Sequence, residues 1–155
     1  MMIIGSDFID NNASFTTSAK RNGPKIFVKA WAESGVDENT PAAIMFGGSG
    51  YVATALIGSI YAYVGVPEGT QSVGAGSWGW FQIRGPVDDV QGAATSFTGS
   101  VGKAIYLSGA TGIGCTGSAY IGAPHQIGIM ITTAANSSTT CTILLTGNLY
   151  ARAIS

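Results

Sequence analysis

The chain has 155 residues, of which 10% are charged, and its 7 basic and 8 acidic groups give a net charge of −1. That length suits one domain able to bury roughly two thirds of its unfolded surface. The charge balance argues against a partner held by neutralising rows of phosphates, so nucleic acid is not an expected partner, and the weak self-repulsion leaves the protein inclined to associate.

Residues 1–20 begin MMIIGSDFIDNNAS, where Asp7 and Asp10 interrupt the apolar run and no cationic segment precedes it, so the stretch does not read as a secretory signal. After Ile4 it is polar and aperiodic, which predicts an extended N-terminal arm in front of a single β domain over 21–155. Lys20, Arg21, Lys25 and Lys29 hold four of the seven basic residues within ten positions. They fit docking onto an acidic surface, or equally a solvated strand edge whose lysines discourage aggregation.

KIFVKAWA (25–32) then alternates with period two, setting Ile26, Val28, Ala30 and Ala32 against Lys25, Phe27, Lys29 and Trp31. Shorter apolar runs follow at 43–46 and 51–58, and IYAYVGV (60–66) opposes Ile60, Ala62, Val64 and Val66 to Tyr61 and Tyr63.

GAGSWG (74–79) and, later, GIGCTG (112–117) both spell the G-x-G-x-x-G dinucleotide fingerprint. That fingerprint requires a helix after the glycines, because the helix N-terminus supplies the amides for the pyrophosphate. Each stretch here is followed by a β-like run ended by proline, WFQIRGP and SAYIGAP, so the glycines are expected to serve turns that deliver strands.

WGWFQIR (78–84) places Trp78 and Trp80 on one face, with Gly79 between them and Phe81 opposite. The pair is either a platform for a sugar ring or a partner's surface, or a sheet-packing face where glycine makes room for large rings. Arg84 follows on the same face, where its guanidinium could stack on either ring. Asp88 and Asp89 read as a solvated turn after a strand that Pro86 stops.

Further strands are expected at 103–107, 118–123, 125–133, 139–147 and 149–154, with Ile127, Ile129 and Ile131 on one face of the third and Cys141, Ile143 and Leu145 on one face of the fourth. TTAANSSTT (132–140) reads as a break. About ten short strands separated by Gly, Pro, Asn and Ser clusters, with no convincing amphipathic helix, predict an all-β protein, a β-sandwich or β-barrel. Residues 104–151 carry no formal charge, yet no uninterrupted span of about 20 apolar residues occurs, so no membrane crossing is expected.

The chemistry of sites is sparse. His125 is the single histidine, which makes a metal centre improbable, and no G-x-S-x-G elbow appears. Asp88 and Asp89 are neighbours, not carboxylates facing each other across a cleft, and they lack a calcium-loop pattern. Cys115 and Cys141 could close one bridge or remain two buried thiols. No catalytic residue, metal or cofactor is expected.

From Ile60 to Val87 the string IYAYVGVPEGTQSVGAGSWGWFQIRGPV, preceded by FVKA (27–30) and followed by GKAIYLSGATG, AYIGAP and CTILLTG, resembles small β proteins in the structural modules of tailed bacteriophages. The likeness is to the head decoration, or cement, proteins; it covers roughly residues 25–147 and none of 1–20. The resemblance implies a homotrimer on the outer capsid surface, binding the lattice of the major capsid protein and stabilising the mature head, after assembly in the host cytoplasm. It carries no catalytic residues with it. Expected partner-binding residues are Lys20, Arg21, Lys25, Lys29, Trp78, Trp80 and Arg84. The alternative is a carbohydrate-binding or tail-fibre-like adhesion module built on Trp78 and Trp80.

Overall fold

Alternation in KIFVKAWA produces a strand with one face in a core, and the same rule accounts for most of the architecture. The computed structural model describes residues 19–47, 50–54, 63–92, 97–107, 115–116, 126–132 and 134–147. These residues contain twelve strands and no helix: β1 (Ala19–Asn22), β2 (Lys25–Ala32), β3 (Ala42–Gly47), β4 (Gly50–Thr54), β5 (Tyr63–Pro67), β6 (Ser77–Gln91), β7 (Phe97–Gly99), β8 (Ala104–Leu107), β9 (Cys115–Thr116), β10 (Gln126–Met130), β11 (Ala134–Ser138) and β12 (Thr140–Thr146). The protein is all-β, as its alternation predicts.

Five strands close a barrel in the order β2, β4, β3, β5, β6 and back to β2. The β2–β4 contact is parallel and short, Trp31 with Val52 and Ala32 with Ala53, and the other four contacts are antiparallel. β1 adds to β2 beyond the end of β4, with Ala19 opposite Val28 and Asn22 opposite Lys25. A second sheet grows from β6 in the order β12, β10, β8, β9, and β7 and β11 form a separate ribbon.

Two apolar cores result, and they share a wall. Val28, Ala30, Val36, Ala42, Ile44, Ala53 and Phe81 fill the barrel. Ala43, Val64 and Val66, on the other faces of β3 and β5, meet Val87, Val90, Ile105, Ile127, Met130, Cys141, Ile143 and Leu145 of the second sheet. β3 and β5 are therefore apolar on both faces, which is why they read as near-continuous hydrophobic runs. Gly65 faces the barrel interior, where a Cβ would lie 2.6 Å from Ile44 Cγ1 and 3.0 Å from Phe81 Cβ, so only glycine lets the wall close there.

Strand β6 departs from the sequence expectation in two places. Pro86 does not stop it: at Arg84 the strand exchanges neighbours, pairing with β2 up to and including that residue and with β12 from it onward. Past that point the edge left by β2 needs no ladder donor, which is where a proline is tolerated. The carbonyls of Arg84 and Pro86 accept hydrogen bonds from Gln82 Nε2 at 3.1 and 2.8 Å instead. Asp88 and Asp89 do not form a turn after the strand but lie inside it as a bulge: Val87 pairs with Ile143 and Val90 with Cys141, so two residues oppose one, and Asp89 takes a φ of 53°.

Elsewhere, β11 lies within TTAANSSTT where no strand was expected, whereas β12 falls inside the strand expected at 139–147. The expected strands at 118–123 and 149–154 lie outside the described residues, as does His125. Of the expected arm, Ala19 and Lys20 are described, and both belong to β1.

Candidate functional site: a tryptophan face on the barrel wall

Since Val28, Ala30 and Phe81 point into the barrel, the alternate residues of β2 and β6 point out of it. Register then decides which outward side chains meet: Phe27 stands opposite Gln82, Lys29 opposite Trp80 and Trp31 opposite Trp78. All three tryptophans of the chain thus share one outer face of the barrel. Trp31 and Trp78 are 38% and 36% exposed, and their rings meet edge to face at 5.6 Å between centroids, with an interplanar angle of 68°. That geometry sets the positive edge of one ring against the negative face of the other.

Trp80 is half-buried beneath a cation. Lys20 stands opposite Phe27 in the β1–β2 hairpin, and its Nζ lies 4.8 Å from the Trp80 ring centroid and 5.0 Å from that of Phe27. The same Nζ pairs with Glu68 Oε2 at 2.5 Å. Glu68 is held at this height because its backbone N–H donates to the Trp80 carbonyl at 2.8 Å. A cation over an indole is worth about 0.5–1 kcal/mol when exposed and more when partly desolvated.

Beside the rings runs a groove of about 390 Å³, lined by Glu68, Gln71, Ser72, Ser77, Trp78 and Trp80. The loop that forms its other wall is pinned by reciprocal backbone bonds between Val36 and Val73, 2.9 and 2.8 Å, and by Glu38 N–H donating to Ser72 Oγ at 3.1 Å. GAGSWG is the end of this loop: Gly76, at φ 73°, donates its N–H to the Ala32 carbonyl and starts β6 at Ser77. Gly79 is glycine for a reason other than room for rings. A Cβ there would lie 2.5 Å from Val73 Cγ2, so it is the inward Val73 that requires glycine between the two tryptophans. Of GIGCTG, Cys115 and Thr116 form β9 and the remainder lies outside the described residues.

The expected partner-binding residues divide. Lys20, Lys29, Trp78 and Trp80 come together on this face. Arg84 does not join them. An extra residue on β6, Ile83, separates Gln82 opposite Phe27 from Arg84 opposite Ile26, and this bulge breaks the parity that had put Arg84 with the tryptophans. The cation on Trp80 is Lys20, and Arg84 instead lines a second groove with Arg21. Lys25 stands opposite Asn22 beside the β1–β2 turn, half-buried. Trp31 and Glu68 complete the face without having been among the expected residues. Alternation had put Trp31 beside Lys29, but only the β2–β6 register brings it to Trp78.

The face presents aromatic planes, a cation, a carboxylate and hydroxyls. Among the described residues no group of three or more His, Cys, Asp or Glu side chains converges as a metal site would require, and no helix is long and apolar enough to cross a membrane. Comparison of the chain with protein-family models, with curated proteins and with solved structures finds no match.

Proposed function

We propose that the protein is a structural component of a tailed-phage virion, a decoration protein that binds the lattice of the major capsid protein and adds stability to the mature head. The observation that carries this reading is the gathering of Trp31, Trp78 and Trp80, together with Lys20 and Lys29, on one outer face of a rigid barrel. Tryptophan is the side chain most enriched among the few residues that dominate protein–protein binding energy, and such residues sit centrally with a polar rim around them. Here Trp31 and Trp78 are the exposed centre and Lys29, Lys20 and Glu68 the rim. The sparse charge of the chain suits a part whose faces become covered, and many copies that bind only the mature lattice stabilise it by mass action. The sequence resemblance points to the same class.

Retention on purified capsids tests the reading. The Trp31→Ala/Trp78→Ala double variant is expected to lose at least about thirtyfold in affinity, the equivalent of roughly 2 kcal/mol of hot-spot energy. Phe46→Ala, at a position 70% exposed outside the tryptophan face, serves as the control and is expected to bind normally. Unchanged retention of the double variant overturns the assignment of the face. The homotrimer that the resemblance implies is checked by sedimentation.

A second reading is favoured by the groove beside Trp78 and Trp80, whose Glu68, Gln71, Ser72 and Ser77 offer hydroxyl-matching polar groups next to an aromatic plane. It makes the protein a carbohydrate-binding adhesion module. Saturable quenching of tryptophan emission by a soluble saccharide, with no retention on capsids, selects it over decoration.

A further inference from the structure

Where β6 leaves β2 and takes up β12, the two sheets diverge and open a groove of about 620 Å³. It is separate from the tryptophan face. Arg21 and Arg84 stand on it, and Ile26, Leu144, Leu145 and Thr146 are among the other residues that line it. Leu144 is 38% exposed, a large apolar side chain left open to the groove.

Arg21 is held through its side chain and Arg84 through its backbone, and no carboxylate among the described residues pairs with either. Arg21 Nε donates to the Gly23 carbonyl at 2.8 Å, which fixes the base of its fork and leaves the terminal nitrogens. The backbone of Arg84 is pinned on both edges, opposite Ile26 on β2 and Thr146 on β12. Close by, the β1–β2 turn sits so tightly on β6 that a Cβ at Gly85 would lie 2.7 Å from the Pro24 carbonyl oxygen, which brings the Arg21 and Arg84 walls together. Among the described residues no carboxylate lines the groove, and the one ion pair is Lys20 with Glu68, elsewhere.

A planar guanidinium matches a carboxylate through two parallel N–H donors, and a pair of them around an apolar floor selects a carboxylate attached to aliphatic chain. We propose that this groove docks an extended acidic segment of a partner protein, one Asp or Glu carboxylate lying between Arg21 and Arg84 and an adjacent aliphatic side chain resting on Ile26 and Leu144. A run of phosphates fits worse, because two arginines on a chain of net charge −1 cannot neutralise it and the apolar floor would be left unused. The inference concerns a groove that the proposed function does not use, and it stands whether or not the tryptophan face binds a capsid.

The probe is a fluorescein-labelled acetyl-Ile-Glu-Ile-Asp-Ile-amide peptide, compared by fluorescence anisotropy with the same peptide carrying Gln and Asn in place of its acids. The acidic peptide is expected to bind the full chain at low salt and to weaken as salt rises, and the amide peptide to bind about tenfold less well or worse. Arg84→Gln and Arg21→Gln are each expected to weaken the acidic peptide by about fivefold or more, Arg84→Lys to restore binding only in part, and Trp78→Ala to leave it unchanged. Arg84 and Arg21 are exposed, and unaltered tryptophan emission verifies that the variants fold. Equal binding of the acidic and amide peptides, or wild-type binding by both arginine variants, overturns the proposal. Failure of peptide binding together with self-association that Arg84→Gln abolishes also overturns it, in favour of a contact between copies of the chain.

Discussion

Cys141 lies on β12 among the residues of the second core, a free thiol only 5% exposed. Burial disfavours the thiolate and pushes the Cys141 thiol from 9.0 up to about 11. Because the reactive species is the thiolate, alkylation of Cys141 in the native protein near neutral pH is expected to be at least about a hundredfold slower than in denaturant, read by mass spectrometry of the peptide that carries it. The same shift makes stability depend on pH. The folded state holds its proton where the unfolded chain has already lost it, so the contribution is complete below about pH 9 and declines as pH rises towards about 11. Tyr51, raised by burial and secondarily by Tyr63, acts in the same direction from its ordinary value of 10.0. The denaturation midpoint should therefore fall between pH 9 and 11, and Cys141→Ala should flatten the lower part of that fall. A midpoint constant across this range, or native and denatured alkylation at equal rates, contradicts the assignment.

At the scale of the element, β6 depends on a side chain that does what a neighbouring strand would otherwise do. Gln82, 4% exposed, gives both of its amide bonds to the Arg84 and Pro86 carbonyls where β2 has ended. Gln82→Met keeps the volume and removes the donors, so it is expected to cost about 1–2 kcal/mol in denaturant unfolding, the penalty for part-buried carbonyls left without these partners. Wild-type stability in that variant would mean that the strand continues for another reason. This dependence also explains what local sequence could and could not convey. β2, β5, β10 and β12 were legible from alternation and β3 from a short apolar run, because each buries at least one face in one of the two cores. The full length of β6 was not, since Pro86 and Asp88–Asp89 are stop signals in any short window, and what overrides them is Gln82, the exchange of neighbours at Arg84 and a bulge opposite β12. The site followed the same rule. Parity alone placed Trp78 with Trp80, but Trp31 reached them through strand register, Lys20 through the β1–β2 hairpin, and Arg84 was misplaced because a one-residue bulge reverses the parity on which its placement rested.

At the scale of the molecule, two cores share the β3–β5 wall and the single strand β6, so neither can be lost without exposing a face of the other. The chain supplies an independent reporter for each. Trp31, Trp78 and Trp80 all lie on β2 and β6 of the barrel, and Cys141 lies in the second sheet. Tryptophan emission and Cys141 alkylation are expected to give coincident denaturant transitions, as two-state unfolding requires. The joint at which the cores are coupled is Gly85, with φ 95° and no space for a Cβ beside Pro24 and Lys25. Gly85→Ala forces an unfavourable backbone conformation and a clash with main-chain atoms, so a loss of order 3 kcal/mol is expected. If β6 is the common strut, that loss shifts both transitions equally. A variant in which the thiol becomes accessible well before the tryptophan signal changes, or the reverse, would show the barrel and the second sheet to be separate cooperative units, and the tryptophan face would then rest on the barrel alone.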